Sequence, residues 1–285
     1  MAAAANGDHA GVFSAFRSIS SISTGSRVYD FIGASTKVDY NRAWSKYAIP
    51  VGKEVTPSLP PKNEHYFDWI VILEAVQRAS GTFRMAELGA GWAPWTVRAA
   101  MATRQQPEVD NLELLAIEAD PTHYGWMLEH FHDNGLDPNQ FHLLHGAASS
   151  QSEILRFPVI SDPDLDYGAS LSKAKTNIET IEVQGYTVSE ILNRFSGPLD
   201  CLHIDIQGAE YDCLPVAMDI LKQQVKSIMI GTHLSDSAHI GLSEQFRAAG
   251  WQELMNLPRN RTSSTPWGEI VLNDGLLWYR NPNFG

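Results

Sequence analysis

An apolar run that ends in an acid and is followed at once by a glycine constrains this chain more than any other feature. Residues 199–210 read LDCLHIDIQGAE. Buried parallel strands appear as continuous apolar runs, and their C-terminal ends form the edge where α/β sheets bind ligands. The run therefore places Asp205 at such an edge, with a helix to follow. A second strand, over residues 83–88, ends in Gly89-Ala90-Gly91. Two strand ends carrying acids and glycines point to a ligand that contains a nucleoside.

The remaining pattern alternates helices with strands. A helix starts near Asn63, with Phe67, Ile70, Val71 and Ala75 at a 3.6-residue period. After the glycine turn, Pro94 occupies a first-turn position of the next helix. A strand over 112–117 precedes a helix from Pro121 to about Asn134-Gly135. A strand over 141–144 ends in His145-Gly146-Ala147-Ala148. Residues 149–183 break the rhythm with two strands, 154–157 and 178–183, around a polar loop. A helix over 188–195, a strand over 199–206, a helix over 209–221 and a strand from 225 restore it. After a helix over 242–249, strands over 251–256 and 269–279 close the chain. Asn273-Asp274-Gly275 reads as the turn of that terminal hairpin.

Composition sets bounds on partners. A net charge of -12 over 285 residues opposes a nucleic-acid backbone as the main partner. The two cysteines, Cys201 and Cys213, fall in an apolar strand and the next helix, so both read as core. That usage suits a reducing, cytoplasmic setting. No apolar run reaches the roughly 18 residues of a membrane span, and the start lacks the features of a signal peptide. Residues 1–11 read as a disordered tail and 12–61 as an irregular arm rich in aromatics and prolines. Residues 62–285 read as the main domain. The arm is expected to serve as a lid or homodimer contact, or simply as a strap over the core.

Each strand end has its own chemistry. Glu87 precedes the glycine turn, and the third glycine of a dinucleotide GxGxxG fingerprint would fall at Pro94, so that fingerprint is absent. Glu118, within Ile117-Glu118-Ala119-Asp120, suits a ribose diol, because both hydroxyls can donate to one carboxylate. Asp120 before Pro121 reads instead as a helix N-cap. Gly146 and Ala147 leave room for a flat adenine. His233 closes the strand that follows the one bearing Asp205. It is the candidate general base, since imidazole titrates near neutrality. Asp205 and His233, with Glu210 further off, form an alternative set of ligands for a divalent metal. His123, His130, His132, His142 and His145 read as packing or surface residues. Trp92 and Trp95 either cover a cofactor or fill the core, and Arg259-Asn260-Arg261 either faces an anionic substrate group or forms a solvated loop.

The segments AELGAG, AIEAD, HGAAS and HIDIQGAE, in that order, resemble the class I S-adenosylmethionine-dependent methyltransferases and, more narrowly, the FkbM family. The resemblance spans roughly residues 83–280. The family's signature approximates hydrophobic-Lys-hydrophobic-Asp-hydrophobic-Glu-Gly-Ala-Glu. Here Asp205, Gly208, Ala209 and Glu210 match, while His203 and Gln207 stand at the Lys and first Glu positions. The resemblance implies an α/β three-layer sandwich, Rossmann-like, with a seven-stranded mostly parallel sheet and an antiparallel C-terminal strand. It implies S-adenosyl-L-methionine lined by Glu87, Gly89, Ala90, Gly91, Glu118, Ala119, Gly146 and Ala147. Asp205 would face the methionine end and the acceptor. The expected reaction is methylation of a hydroxyl on a small metabolite or sugar, without a required metal, nucleic acid or membrane. A nicotinamide-dependent oxidoreductase would need the missing dinucleotide fingerprint. A non-catalytic nucleoside-binding module would account for the changes at His203 and Gln207.

Overall fold

The computed structural model describes residues 9–171, 179–266 and 268–284. Seven strands form the central sheet. In chain order they are β1 (Gly81–Leu88), β2 (Val109–Glu118), β3 (His142–His145), β4 (Cys201–Ile204), β5 (Ser227–Thr232), β6 (Gln252–Leu257) and β7 (Gly275–Arg280). Their spatial order is β6-β7-β5-β4-β1-β2-β3. Strands β1 to β5 pair in parallel, and β7 runs antiparallel to both β5 and β6. This is the class I methyltransferase arrangement that the resemblance implies. The chain builds outward from β1 to β3 and then returns to place β4 on the other side of β1. That reversal opens a crevice at the C-terminal ends of β1 and β4.

Among the described residues, seven α-helices accompany the sheet: α1 (Tyr66–Arg78), α2 (Pro94–Thr103), α3 (Pro121–Asp133), α4 (Val188–Leu192), α5 (Glu210–Val216), α6 (Met218–Gln224) and α7 (Asp236–Ala248). Successive strand residues point to opposite faces, so each apolar strand feeds two cores. Phe83 and Met85 of β1, with Cys201 and Met229, pack against α1, α2 and α3. Ala86 and Leu88, with Leu202, Ile204, Ile228 and Ile230, pack against α4 to α7. The sheet is thus covered on both faces, which is why its strands read as unbroken apolar runs. Both cysteines are free and buried.

Several local expectations are corrected. The stretch read as one helix over 209–221 breaks into α5 and α6 around Ala217, and Pro215 inside α5 lacks the N–H that a continuous helix needs. Helix α7 begins at Asp236 rather than 242, because Ser235 caps it through Ala238 N. Asn273-Asp274-Gly275 does not join a hairpin of β6 and β7. Those strands are linked through a separate two-stranded hairpin, Thr262–Thr265 with Gly268–Val271. Gly275 is instead required by close packing. A Cβ there would lie 2.3 Å from Thr232 Oγ1 and 2.8 Å from His239 Nδ1. The break in rhythm after β3 is a small sheet in which Thr180–Thr187 pairs in parallel with Ala147–Ser149 and antiparallel with Ile154–Pro158.

Residues 1–8 of the expected tail lie outside the described residues, as do residues 172–178, Trp267 and Gly285. A 3-10 turn spans His9–Ala15. The arm beyond it straps the α1–α3 face. Phe13 stacks on Tyr66 at 5.3 Å, and Phe31 lies against Trp69 at 5.1 Å. Arg27 pairs with Asp133 at 2.6 Å, and Asn134 exchanges hydrogen bonds with the Ser35 backbone.

Because Phe83 is fully buried between β1 and the α1–α3 layer, replacing it with alanine should destabilise the fold by about 3–5 kcal/mol. Equilibrium denaturation of Phe83→Ala against the native protein measures this.

Candidate active site

A cavity of about 380 Å³ opens at the C-terminal ends of β1, β2 and β4. Glu87, Gly89, Ala90, Gly91, Glu118, Ala119, Gly146, Ala147 and Asp205 all line it. Residues from four separate sequence motifs therefore meet at one cavity. His233 is not among the lining residues.

The glycine turn exists because β1 and β4 end against each other. Gly89 has φ +75°, and a Cβ on it would sit 1.9 Å from the Asp205 carbonyl oxygen. Only glycine tolerates both demands. Gly91 then turns its N–H to Glu118 Oε2 at 2.7 Å, while the Asp120 N–H reaches Glu118 Oε1 at 2.7 Å. Each Glu118 oxygen retains a lone pair for a further donor. Asp120 accepts from the backbone of Thr122 and His123, as an N-cap should.

Two of these lining residues also make close contacts with the protein itself. Glu87 lines the cavity, but its carboxylate turns to the start of α2. It accepts the Thr96 N–H at 2.7 Å, the Thr96 hydroxyl at 2.6 Å and the Trp95 N–H at 3.4 Å. Orphan N–H groups at a helix start explain that attraction. Burial pushes the carboxyls of both Glu87 and Glu118 up, against their hydrogen bonds. Gly146 also lines the cavity, yet its missing Cβ accommodates protein, since a Cβ would lie 2.4 Å from the Gln184 carbonyl oxygen.

Asp205 follows β4 directly and its side chain is 47% exposed. Its Oδ1 accepts from Gln207 Nε2 at 2.9 Å and lies 3.0 Å from His233 Nε2. Gln207 adopts φ +52°, a left-handed conformation that brings its amide back between the two. The other imidazole nitrogen, Nδ1, is 3.1 Å from Glu210 Oε1. Glu210 is fully buried and also accepts the N–H groups of Gly208 and His233. Burial alone would lower the His233 pKa, but the hydrogen bonds and charges of Asp205 and Glu210 push it up to about 10. Burial would raise the Asp205 carboxyl, whereas the His233 hydrogen bond and charge, followed by His203, hold it below the usual carboxylate value.

His233, the expected general base, has Asp205 3.0 Å from Nε2 and Glu210 3.1 Å from Nδ1. A base needs a free lone pair, and both ring nitrogens already face carboxylates behind the cavity wall. The neighbouring carboxylates favour the charged form of the ring, and Gln207 Nε2 lies 3.1 Å from its Nε2. The alternative use of Asp205, His233 and Glu210 as metal ligands finds no support in the donor geometry. Among the described residues, no group of three or more His, Cys, Asp or Glu side chains could hold a metal ion.

The arm supplies wall residues that the sequence pattern did not single out. Asn41 and Trp44 line the cavity, with Trp44 edge-on to Trp92 at 5.3 Å. Trp92 in turn meets Tyr167 at 4.8 Å. Arg42 fastens the arm to the neighbouring loop through Asp164 and Asp162. The arm therefore both straps the core and closes one side of the cavity. Trp92 and Trp95 line the cavity as well, so each combines wall and packing roles. His123 stacks on Tyr167 at 4.5 Å and gives Nε2 to the Pro163 carbonyl, while His130 is buried between Thr36 and the Trp92 carbonyl. Arg259 is not solvated as expected, since it donates to the carbonyls of His233 and Leu234.

An open α/β sheet with an antiparallel seventh strand and an acid-lined cavity at its switch point defines a methyltransferase-type site. The Methyltransferase FkbM domain family matches residues 94–249. The chain belongs to the FkbM methyltransferase family. A protein of Jannaschia sp. (strain CCS1) described as a "putative methyltransferase" is 29% identical over 227 residues, covering 75% of this chain and 78% of that protein. Solved structures that resemble it include the methyltransferase FkbM of Methylobacillus flagellatus KT, at 10% identity and TM-score 0.44. That match covers 77% of this chain and 55% of the other. A SAM-dependent methyltransferase from Agrobacterium tumefaciens matches at 13% identity and TM-score 0.44, covering 76% and 61%.

Two outcomes follow from this geometry. Gly89→Ala should cost about 2 kcal/mol or more in denaturation experiments, because a Cβ meets the Asp205 carbonyl at positive φ. The raised His233 pKa stabilises the fold fully below the unfolded value of 6.5, and that contribution fades as pH rises toward about 10. Stability measured from pH 6 to 10 should therefore fall more steeply in the native protein than in His233→Gln. Equal slopes would contradict the ion-pair assignment.

Proposed function

We propose that this methyltransferase binds S-adenosyl-L-methionine in the cavity and methylates a hydroxyl oxygen on a small metabolite or sugar. The observation that carries the reading is Asp205, an anionic carboxylate on the cavity wall with Oδ1 held by His233 and Gln207.

The donor set fits that cofactor. Glu87, Glu118 and Asp205 line the cavity, and no Lys or Arg does among its described lining residues. An acid-lined pocket suits a ligand bearing a sulfonium and an ammonium. When bound, the cofactor supplies an electrophilic methyl group on sulfur. Glu118, buried and with lone pairs to spare, is placed to accept from a ribose diol. The glycine turn offers close backbone approach, and Ala119 and Ala147 add small apolar surface beside it. The proposed task of the protein at the reacting centre is alignment of the acceptor oxygen, which contributes strongly when two groups must meet in line. Asp205 Oδ2, which takes part in no hydrogen bond within the described residues, is the proposed acceptor of the hydroxyl proton. His233 keeps that carboxylate ionised and oriented. The oxygen preference rests on family resemblance together with this carboxylate.

Calorimetry with S-adenosylhomocysteine should show binding, whereas NAD should not bind; the reverse result would refute the cofactor assignment. Asp205→Asn should lower labelled-methyl transfer to a hydroxylated acceptor by about 10²–10⁴-fold. Affinity for S-adenosylhomocysteine should change far less. Undiminished turnover would remove Asp205 from proton transfer.

A further inference from the structure

His203 lies in β4 in register with Glu87 of β1, and it is 4% exposed. Its Nε2 reaches Asp68 Oδ1 of α1 at 2.9 Å. A carboxylate only accepts, so Nε2 carries the proton. The second nitrogen, Nδ1, is buried and has no hydrogen-bond partner among the described residues. Buried polar atoms without partners are uncommon, because desolvating one is costly. This one belongs to a ring that lines the cavity and lies 5.8 Å from Trp95.

The surroundings favour the ring with both nitrogens protonated. Asp68 holds one side, while Glu87 and Asp205 add negative charge nearby. Burial opposes the charged form, but these acids together raise the pKa. Nδ1 is then an N–H donor with nothing to receive it. The other cationic candidates are poorly suited. His65 has a side chain 69% exposed, and His123 is committed to the Pro163 carbonyl and to Tyr167. A bound carboxylate consequently has one buried charged donor within reach of the wall.

We infer that His203, oriented by Asp68, receives the carboxylate on the amino-acid tail of the cofactor. The inference rests on the reading that the cavity holds S-adenosyl-L-methionine. A zwitterionic tail matches a wall that mixes acids with one imidazolium, since its ammonium suits the acids and its carboxylate suits His203. The family signature carries Lys at this position, and Lys shares with an imidazolium only positive charge and N–H donation.

The test uses two ligands that differ in the tail. S-adenosylhomocysteine has the amino-acid group, and 5′-methylthioadenosine lacks it. Isothermal titration of each into the native protein, His203→Asn, His203→Lys and Asp68→Asn isolates the contact. Loss of one charge-assisted hydrogen bond should weaken S-adenosylhomocysteine by about tenfold or more in His203→Asn. The affinity for 5′-methylthioadenosine should stay within about twofold. His203→Lys should recover most of the loss. Asp68→Asn, which keeps the imidazole, should reproduce the same contrast more weakly even if His203→Asn folds poorly. Equal weakening of both ligands, or an unchanged affinity for S-adenosylhomocysteine, would overturn the inference. The second outcome would assign Nδ1 to a carboxylate on the methyl acceptor instead. Failure of the native protein to bind either ligand would sink the cofactor reading itself.

Discussion

A histidine held between two carboxylates, Asp205 and Glu210, organises the sheet edge of this molecule. Glu210 is fully buried, and an isolated carboxylate there would be costly. His233 Nδ1 lies 3.1 Å from it, and the N–H groups of Gly208 and His233 supply hydrogen bonds. The same ring reaches forward to Asp205. One side chain thereby ties the end of β5 to the turn after β4 and to the first residue of α5. Arg259 adds to this junction from the far side by binding the carbonyls of His233 and Leu234. Breaking the pair at either carboxylate would release the turn that presents Asp205.

That junction can form only where the sheet allows it. Reversal of strand order brings β4 beside β1 and leaves their ends open to the cavity. Gly89 lets the two ends approach until its backbone touches Asp205. Apolar packing on both faces fixes the strands themselves, with alternate residues feeding the α1–α3 and α4–α7 layers. Electrostatics at the edge then acts on a frame already set by hydrophobic burial.

Local signals survived the passage from sequence to structure well. Asp120 caps α3, Pro94 opens α2 and Gly89 sits at positive φ, because each effect depends on immediate neighbours. The strand ends were legible for the same reason. The raised pKa of His233 was not. It depends on Glu210, which is distant in sequence and returns through the start of a helix. The arm posed a similar problem, since its aromatics gave no period that would place Trp44 at the cavity. Asn273-Asp274-Gly275 misled because a glycine required for packing has the same letters as a turn. His203 lies two residues before Asp205, on the same side of the strand. That spacing was a usable signal for a wall residue, though its partner Asp68 lies 135 residues away.

The most direct test of the account is the protonation of His233, followed by nitrogen chemical shifts of the imidazole across a pH titration. Both ring nitrogens should carry protons at pH 8, with titration near pH 10. His233→Gln identifies the resonance by its absence. A ring with one protonated nitrogen at pH 8, titrating near the ordinary histidine value of 6.5, would contradict it. His233 would then be free to act as a base, and Asp205 would lose the partner that sets its role.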